Sequence, residues 1–143
     1  MPERSLEDGR AELAPHASRV SLVLAPETAS VPAARHFVDR ALPESCWADE
    51  VTLLVSELTS NAVRHAGTPF TVSLACDGSL VRVEVSDDDP AFPVARQAPV
   101  DAITGRGLMI VDALASNWGV EPTSTGKIVW FEVACKSTVD DGV

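Results

Sequence analysis

The chain has 143 residues, with 21 acidic side chains against 11 basic ones, a formal charge of −10 and 45% hydrophobic residues. That size suits one soluble domain, which buries roughly 68–70% of its unfolded surface and needs no disulfide or structural metal to hold a core. The acidity, with no Tyr, three Trp and four Phe, excludes the basic groove and stacking platform of a nucleic-acid binder, and no apolar run is long enough to cross a membrane.

Residues 1–18 mix charge, Ala and Pro without period and read as a flexible leader, residues 19–136 as the folded domain and 137–143 as a flexible tail. The N-terminal MPERSLEDGRAE lacks the apolar stretch of a signal peptide, so a cytoplasmic location is expected. From Arg19 to Ala25, Val20, Leu22 and Leu24 alternate with Ser21 and Val23, predicting a strand with one well-buried face. Ser30 and Pro32 open a helix on which Ala33, Phe37, Val38 and Leu42 recur, and Pro43 stops it.

A longer helix is predicted from about Ser45 to Ala66, striped by Val51, Leu54, Val55, Leu58 and Ala62 and capped by Gly67. Phe70–Cys76 and Leu80–Ser86 both alternate and flank Asp77-Gly78, the pattern of a hairpin. Asp87 to about Thr104 holds several prolines and no period, and reads as a long loop. Gly105-Arg106-Gly107 opens a third helix, with Leu108, Met109, Val111 and Leu114 on its apolar side. Trp118–Val120 and Lys127–Ala134 close the domain as a second hairpin. Helices and antiparallel hairpins are thus segregated, which predicts an α+β two-layer sandwich with a mixed, mostly antiparallel sheet and about three helices on one face.

Cys46, Cys76 and Cys135 are far apart in sequence and form no CxxC, so three buried thiols are expected and neither a zinc site nor a disulfide. The chemistry lies elsewhere. Glu57, Asn61 and His65 fall at i, i+4 and i+8 of the long helix, each about 40° round from the last. A carboxylate and an amide one turn apart can supply a general base and an oxygen ligand for Mg²⁺; a solvated polar face is the plain alternative. Asp87, Asp88 and Asp89 follow a buried strand, and acids of this kind also form ordinary turns. Gly105-Arg106-Gly107 places backbone N–H groups at a helix start, where an anion is favoured.

Together, ELTSNAVRHA, a hairpin ending in VSDDDP, a Pro-rich loop, GRGLMIV and a final GKIVWFEV resemble the GHKL (Bergerat) histidine-kinase-like ATPases, and within them the anti-sigma-factor serine kinases. The resemblance spans about residues 20–134. It implies that Glu57 is the general base and that Asn61 binds Mg²⁺ on the triphosphate of ATP. It implies that Asp87 accepts from the adenine amino group, with Asp89 and His65 beside the nucleotide. Gly105, Arg106, Gly107 and Leu108 would cradle the phosphates, and residues 90–104 would be the lid over ATP. Asp89 and Ala91 stand where the family places glycines in D-x-G-x-G, and Ile128 where a Thr follows Gly-Lys.

The implied protein is an anti-sigma factor that phosphorylates a serine of an anti-anti-sigma (STAS) partner, commonly as a homodimer. The alternative is a nucleotide-dependent binding module without phosphotransfer. Acidic groups beyond Glu57 and Asp87–Asp89 would suit a basic face of a sigma factor, and the acids at the site would demand Mg²⁺ beside ATP.

Overall fold

The computed structural model describes residues 11–43, 46, 48–90 and 109–135. Five strands, β1 (Ser18–Leu24), β2 (Phe70–Cys76), β3 (Leu80–Asp87), β4 (Asn117–Pro122) and β5 (Lys127–Ala134), form one sheet in the order β1-β2-β3-β5-β4. Every pairing in it is antiparallel, so the mixed character expected of the sheet is not found among the described residues. Helix α1 (Ser30–Ala41) and helix α2 (Ala48–Asn61) pack on one face, and a third helix, α3, spans 109–114. The architecture is an α+β sandwich.

Alternation makes the two central strands. Val81, Val83 and Val85 of β3 are buried, as are Val129, Phe131 and Val133 of β5, and they meet Leu54, Val55 and Leu58 from α2, with Ala62 just beyond it, in one core. In the turn of the β2–β3 hairpin, Gly78 adopts φ 94°, and Asp77 Oδ1 accepts from the N–H groups of Ser79 and Leu80, both at 2.9 Å. Hydroxyl groups within α2 bond back to its own carbonyls, Thr59 Oγ1 to Val55 O at 2.7 Å among them, so polar residues sit in the helix without unmet hydrogen bonds.

Three expectations are corrected. Strand β1 has no well-buried face: it is the sheet's edge, Val20 is 41% exposed, and Leu22 and Leu24 are only half-buried. On α3, Val111 is buried and Ile110 packs against the core, while Met109 and Leu114 are exposed and Leu108 lies outside the described residues. Cys46 and Cys135 are joined as a disulfide and Cys76 is a buried free thiol, in place of three thiols. Sequence spacing gave no hint of this, because the approach to α2 and the end of β5 meet only through the topology.

Part of the expected leader is hydrogen-bonded to the sheet. Ala14 N donates to Asp77 Oδ2 at 2.9 Å and Ala11 N to the Glu132 carboxylate. Glu132 is buried on the face away from the helices, where Arg82 pairs with it at 2.8 Å. No helix among the described residues is long and apolar enough to cross a membrane.

Candidate functional site

The register assembles one end of the helix-facing sheet. Phe70 pairs with Asp87 and Asp87 with Lys127, so these three residues form a row across β2, β3 and β5. All three are buried. A carboxylate in such a place requires a partner, and Lys127 Nζ supplies it, 3.0 Å from Asp87 Oδ1. The same ammonium donates to Asp89 O at 3.0 Å, and Asp89 N donates to Asp87 Oδ1 at 2.8 Å. Both bonds to Asp87 therefore fall on one oxygen, Oδ1.

The three acids separate by environment. Asp87 is neutralised by Lys127, Asp88 is exposed and accepts from Thr125 Oγ1 at 3.4 Å, and Asp89 is half-buried. Beside the four acids expected from the sequence, the charge of this site thus includes a cation, Lys127. Lys127 was visible only as part of a Gly-Lys pair, and the pairing of β3 with β5 is what brings it to Asp87.

The β4–β5 turn closes tightly here. Gly126 N donates to Thr123 Oγ1 at 2.8 Å, and a Cβ built on Gly126 would lie 1.9 Å from Asp87 O and 2.6 Å from Asp88 Cα. Only glycine allows that approach. On the other side, Asp88 N donates to Thr68 Oγ1 at 3.3 Å, which ties the exit of β3 to the segment that follows the long helix.

That helix delivers Glu57 and Asn61. Both are half-buried, one turn apart, beside the core residues Leu58 and Ala62. Asn61 is the last residue of α2, and Asn61 Oδ1 accepts from Arg64 at 3.3 Å. Beyond it Ala62–Ala66 is a π turn, closed by Gly67 at φ 69°. The predicted helix continued in α geometry to Ala66; in an i→i+5 turn four residues no longer complete a revolution, so His65 does not continue the 40° progression and lies exposed. Local π geometry is frequent at functional sites, and no hydrophobic period announces it.

Glu57 and Asn61 offer hard oxygen donors of the kind Mg²⁺ takes. Gly105, Arg106, Gly107, Leu108 and residues 91–104 of the expected lid lie outside the described residues.

The family profile described as a histidine kinase-like ATPase domain matches residues 24–133. An uncharacterized protein of Streptomyces coelicolor, SCO4941, is 35% identical over 92 residues, which cover 61% of this chain and 88% of that one. Among solved structures, the RsbU and RsbW domains of Rv1364c from Mycobacterium tuberculosis match with a TM-score of 0.61 and 17% identity. That match covers 84% of this chain and 33% of the other, and it is a likeness of fold.

Proposed function

This chain belongs to the histidine kinase-like ATPase family, and from that premise we propose that it is an ATP-binding regulator, an anti-sigma factor that phosphorylates a serine of an anti-anti-sigma (STAS) partner using Mg²⁺-ATP. The similarity of its fold to a structure containing an RsbW domain supports the regulatory part of this reading. The observation that carries the nucleotide part is the placement of Asp87. It is a buried carboxylate at the end of a central strand, held among the described residues by Lys127 and Asp89 N through Oδ1. Oδ2 is then the oxygen that accepts from the exocyclic amino group of adenine, and Phe70 beside it supplies an apolar wall.

Bound Mg²⁺-ATP supplies the phosphoryl group and the charge neutralisation on which phosphoryl transfer depends. Asn61 would hold the metal through Oδ1, the atom that accepts from Arg64 in this structure. Glu57, one turn earlier, accepts the proton of the acceptor hydroxyl. Gly105, Arg106, Gly107 and Leu108 complete the phosphate side in this reading, with His65 and Asp89 beside the nucleotide. The protein acts as a cytoplasmic homodimer, and its remaining acidic surface meets a basic face of the sigma factor.

The test is incubation of the chain with [γ-³²P]ATP, Mg²⁺ and purified STAS-type proteins. Label on a partner serine, lost on omission of Mg²⁺, is the expected result. Stable complexes with an unlabelled partner identify a binding module instead, and failure to bind ATP removes the nucleotide reading altogether.

A further inference from the structure

The end of the sandwich opposite Asp87 holds a second cluster. Cys76 ends β2, Cys135 follows β5, and Cys46 lies two residues ahead of α2. Their sulfurs lie within 4.8 Å of one another. Cys46 and Cys135 are bonded, and the Cys76 sulfur is 3.9 Å from that of Cys46. Cys46 and Cys76 are buried and Cys135 is half-buried. Gly78 N donates to the Cys76 sulfur at 3.4 Å, which gives that sulfur a hydrogen-bond donor as it takes on charge.

We propose that these three residues form a thiol–disulfide exchange site whose co-reactant is a small-molecule disulfide. In the reduced chain, the Cys135 thiolate, the most accessible of the three, attacks one sulfur of the small disulfide. A mixed disulfide forms on Cys135 and one small thiolate leaves. The Cys46 thiolate then attacks the Cys135 sulfur, closing Cys46–Cys135 and expelling the second small thiolate. The two protons given up by the cysteines end on the two small thiols, so the protein loses two electrons and the small disulfide gains them. Cys76 adds an internal step without further oxidant: its thiolate attacks the Cys46 sulfur, forms Cys46–Cys76 and releases Cys135 as a thiolate.

The exchange changes what is tied to what. Cys46–Cys135 fastens the approach to α2 onto β5, and Cys46–Cys76 fastens it onto β2. Among the described residues no His, Asp or Glu joins the sulfur group, which leaves three ligands where a closed structural zinc site takes four. A metal held by the three thiolates is the rival outcome.

The test starts from the full chain, reduced with dithiothreitol, desalted and equilibrated with glutathione buffers of increasing oxidised fraction. It is then quenched with an alkylating agent and mapped by peptide mass spectrometry. One disulfide per chain is expected, Cys46–Cys135 in the majority with a Cys46–Cys76 minority. Cys135→Ser should form Cys46–Cys76 alone, and more slowly for want of the accessible thiol, and Cys46→Ser should lose both bonds made by Cys46. If a variant fails to fold, the Cys46–Cys76 minority in the unsubstituted chain still decides the matter. Three alkylated thiols at every oxidised fraction would overturn the proposal. So would the absence of Cys46–Cys76 from both the unsubstituted chain and Cys135→Ser, or one Zn²⁺ held per reduced chain that blocks reaction with oxidised glutathione.

Discussion

Lys127 Nζ and Asp87 Oδ1 meet at 3.0 Å across directly paired positions of β5 and β3. A charge pair that deep is unstable when halved, because the survivor is left in a medium that solvates it poorly. Lys127→Met should therefore destabilise the fold by about 3–5 kcal/mol, the range for removing one partner of a buried pair. Adding Asp87→Asn should recover part of the loss, since no bare carboxylate then remains. Urea denaturation of the two variants checks both statements.

The long helix supplies a separate pair of tests. Glu57→Ala should bind ATP normally yet transfer phosphate about 10²-fold more slowly or worse, the usual effect of removing a general base. Asn61→Ala should instead weaken Mg²⁺-ATP binding, seen as a smaller ATP-induced rise in melting temperature. Unchanged turnover or an unchanged rise would remove the residue concerned from the site.

At Gly126 the obstacle is backbone, since a Cβ there would fall 1.9 Å from Asp87 O. Gly126→Ala must push apart the β4–β5 turn and the exit of β3, at a cost of about 1–3 kcal/mol, the range for overpacking. ATP affinity should fall with it, because Asp87 moves. Calorimetry on the variant measures both.

Asp77 governs acid behaviour at the hairpin turn. Burial raises its pKa, but N–H groups of Ala14, Ser79 and Leu80 with the Ser79 hydroxyl outweigh it and lower the value from 3.8 to about 2. A depressed carboxylate contributes stability that is fully present above its unfolded pKa and is lost as pH falls through the folded one. The contact of Ala14 with Asp77 should thus hold above pH 4 and loosen between about pH 4 and 2. Hydrogen exchange at Ala14 N follows this, and Asp77→Ala should show the loosened behaviour already at pH 7.

Cys46–Cys135 closes a sequence separation of 89 residues. Constraining the unfolded chain over such a loop contributes typically about 2–4 kcal/mol. Reduction by dithiothreitol should lower Tm by roughly 10 °C in a domain of this length, a shift that scanning calorimetry reads directly.

The parts legible in the sequence are those where local chemistry and tertiary position agree. The β2–β3 hairpin follows from alternation on both arms and from Asp77-Gly78, and Gly67 does end the helical run, though as the cap of the π turn beyond α2. Residues whose role depends on distant partners were not legible. Val20, Leu22 and Leu24 alternate as a buried face would, but position at the sheet's edge decides their exposure. Lys127, 40 residues from Asp87, and the sulfur cluster acquire their meaning only from strand order. The π turn at Ala62–Ala66 breaks the very period by which helices are read.

The strand order has one more bearing, on endurance. Asp87 and Lys127 lie on β3 and β5, each flanked on both sides, whereas β1 and β4 have a neighbour on one side only. Partial opening of a sheet begins where fewest contacts must break. Fluctuations that detach β1 or β4 would still leave the ion pair between two joined strands. The row that holds this ion pair should therefore be among the last parts of the sheet to exchange its amide protons, outlasting both margins of the sheet that carries it.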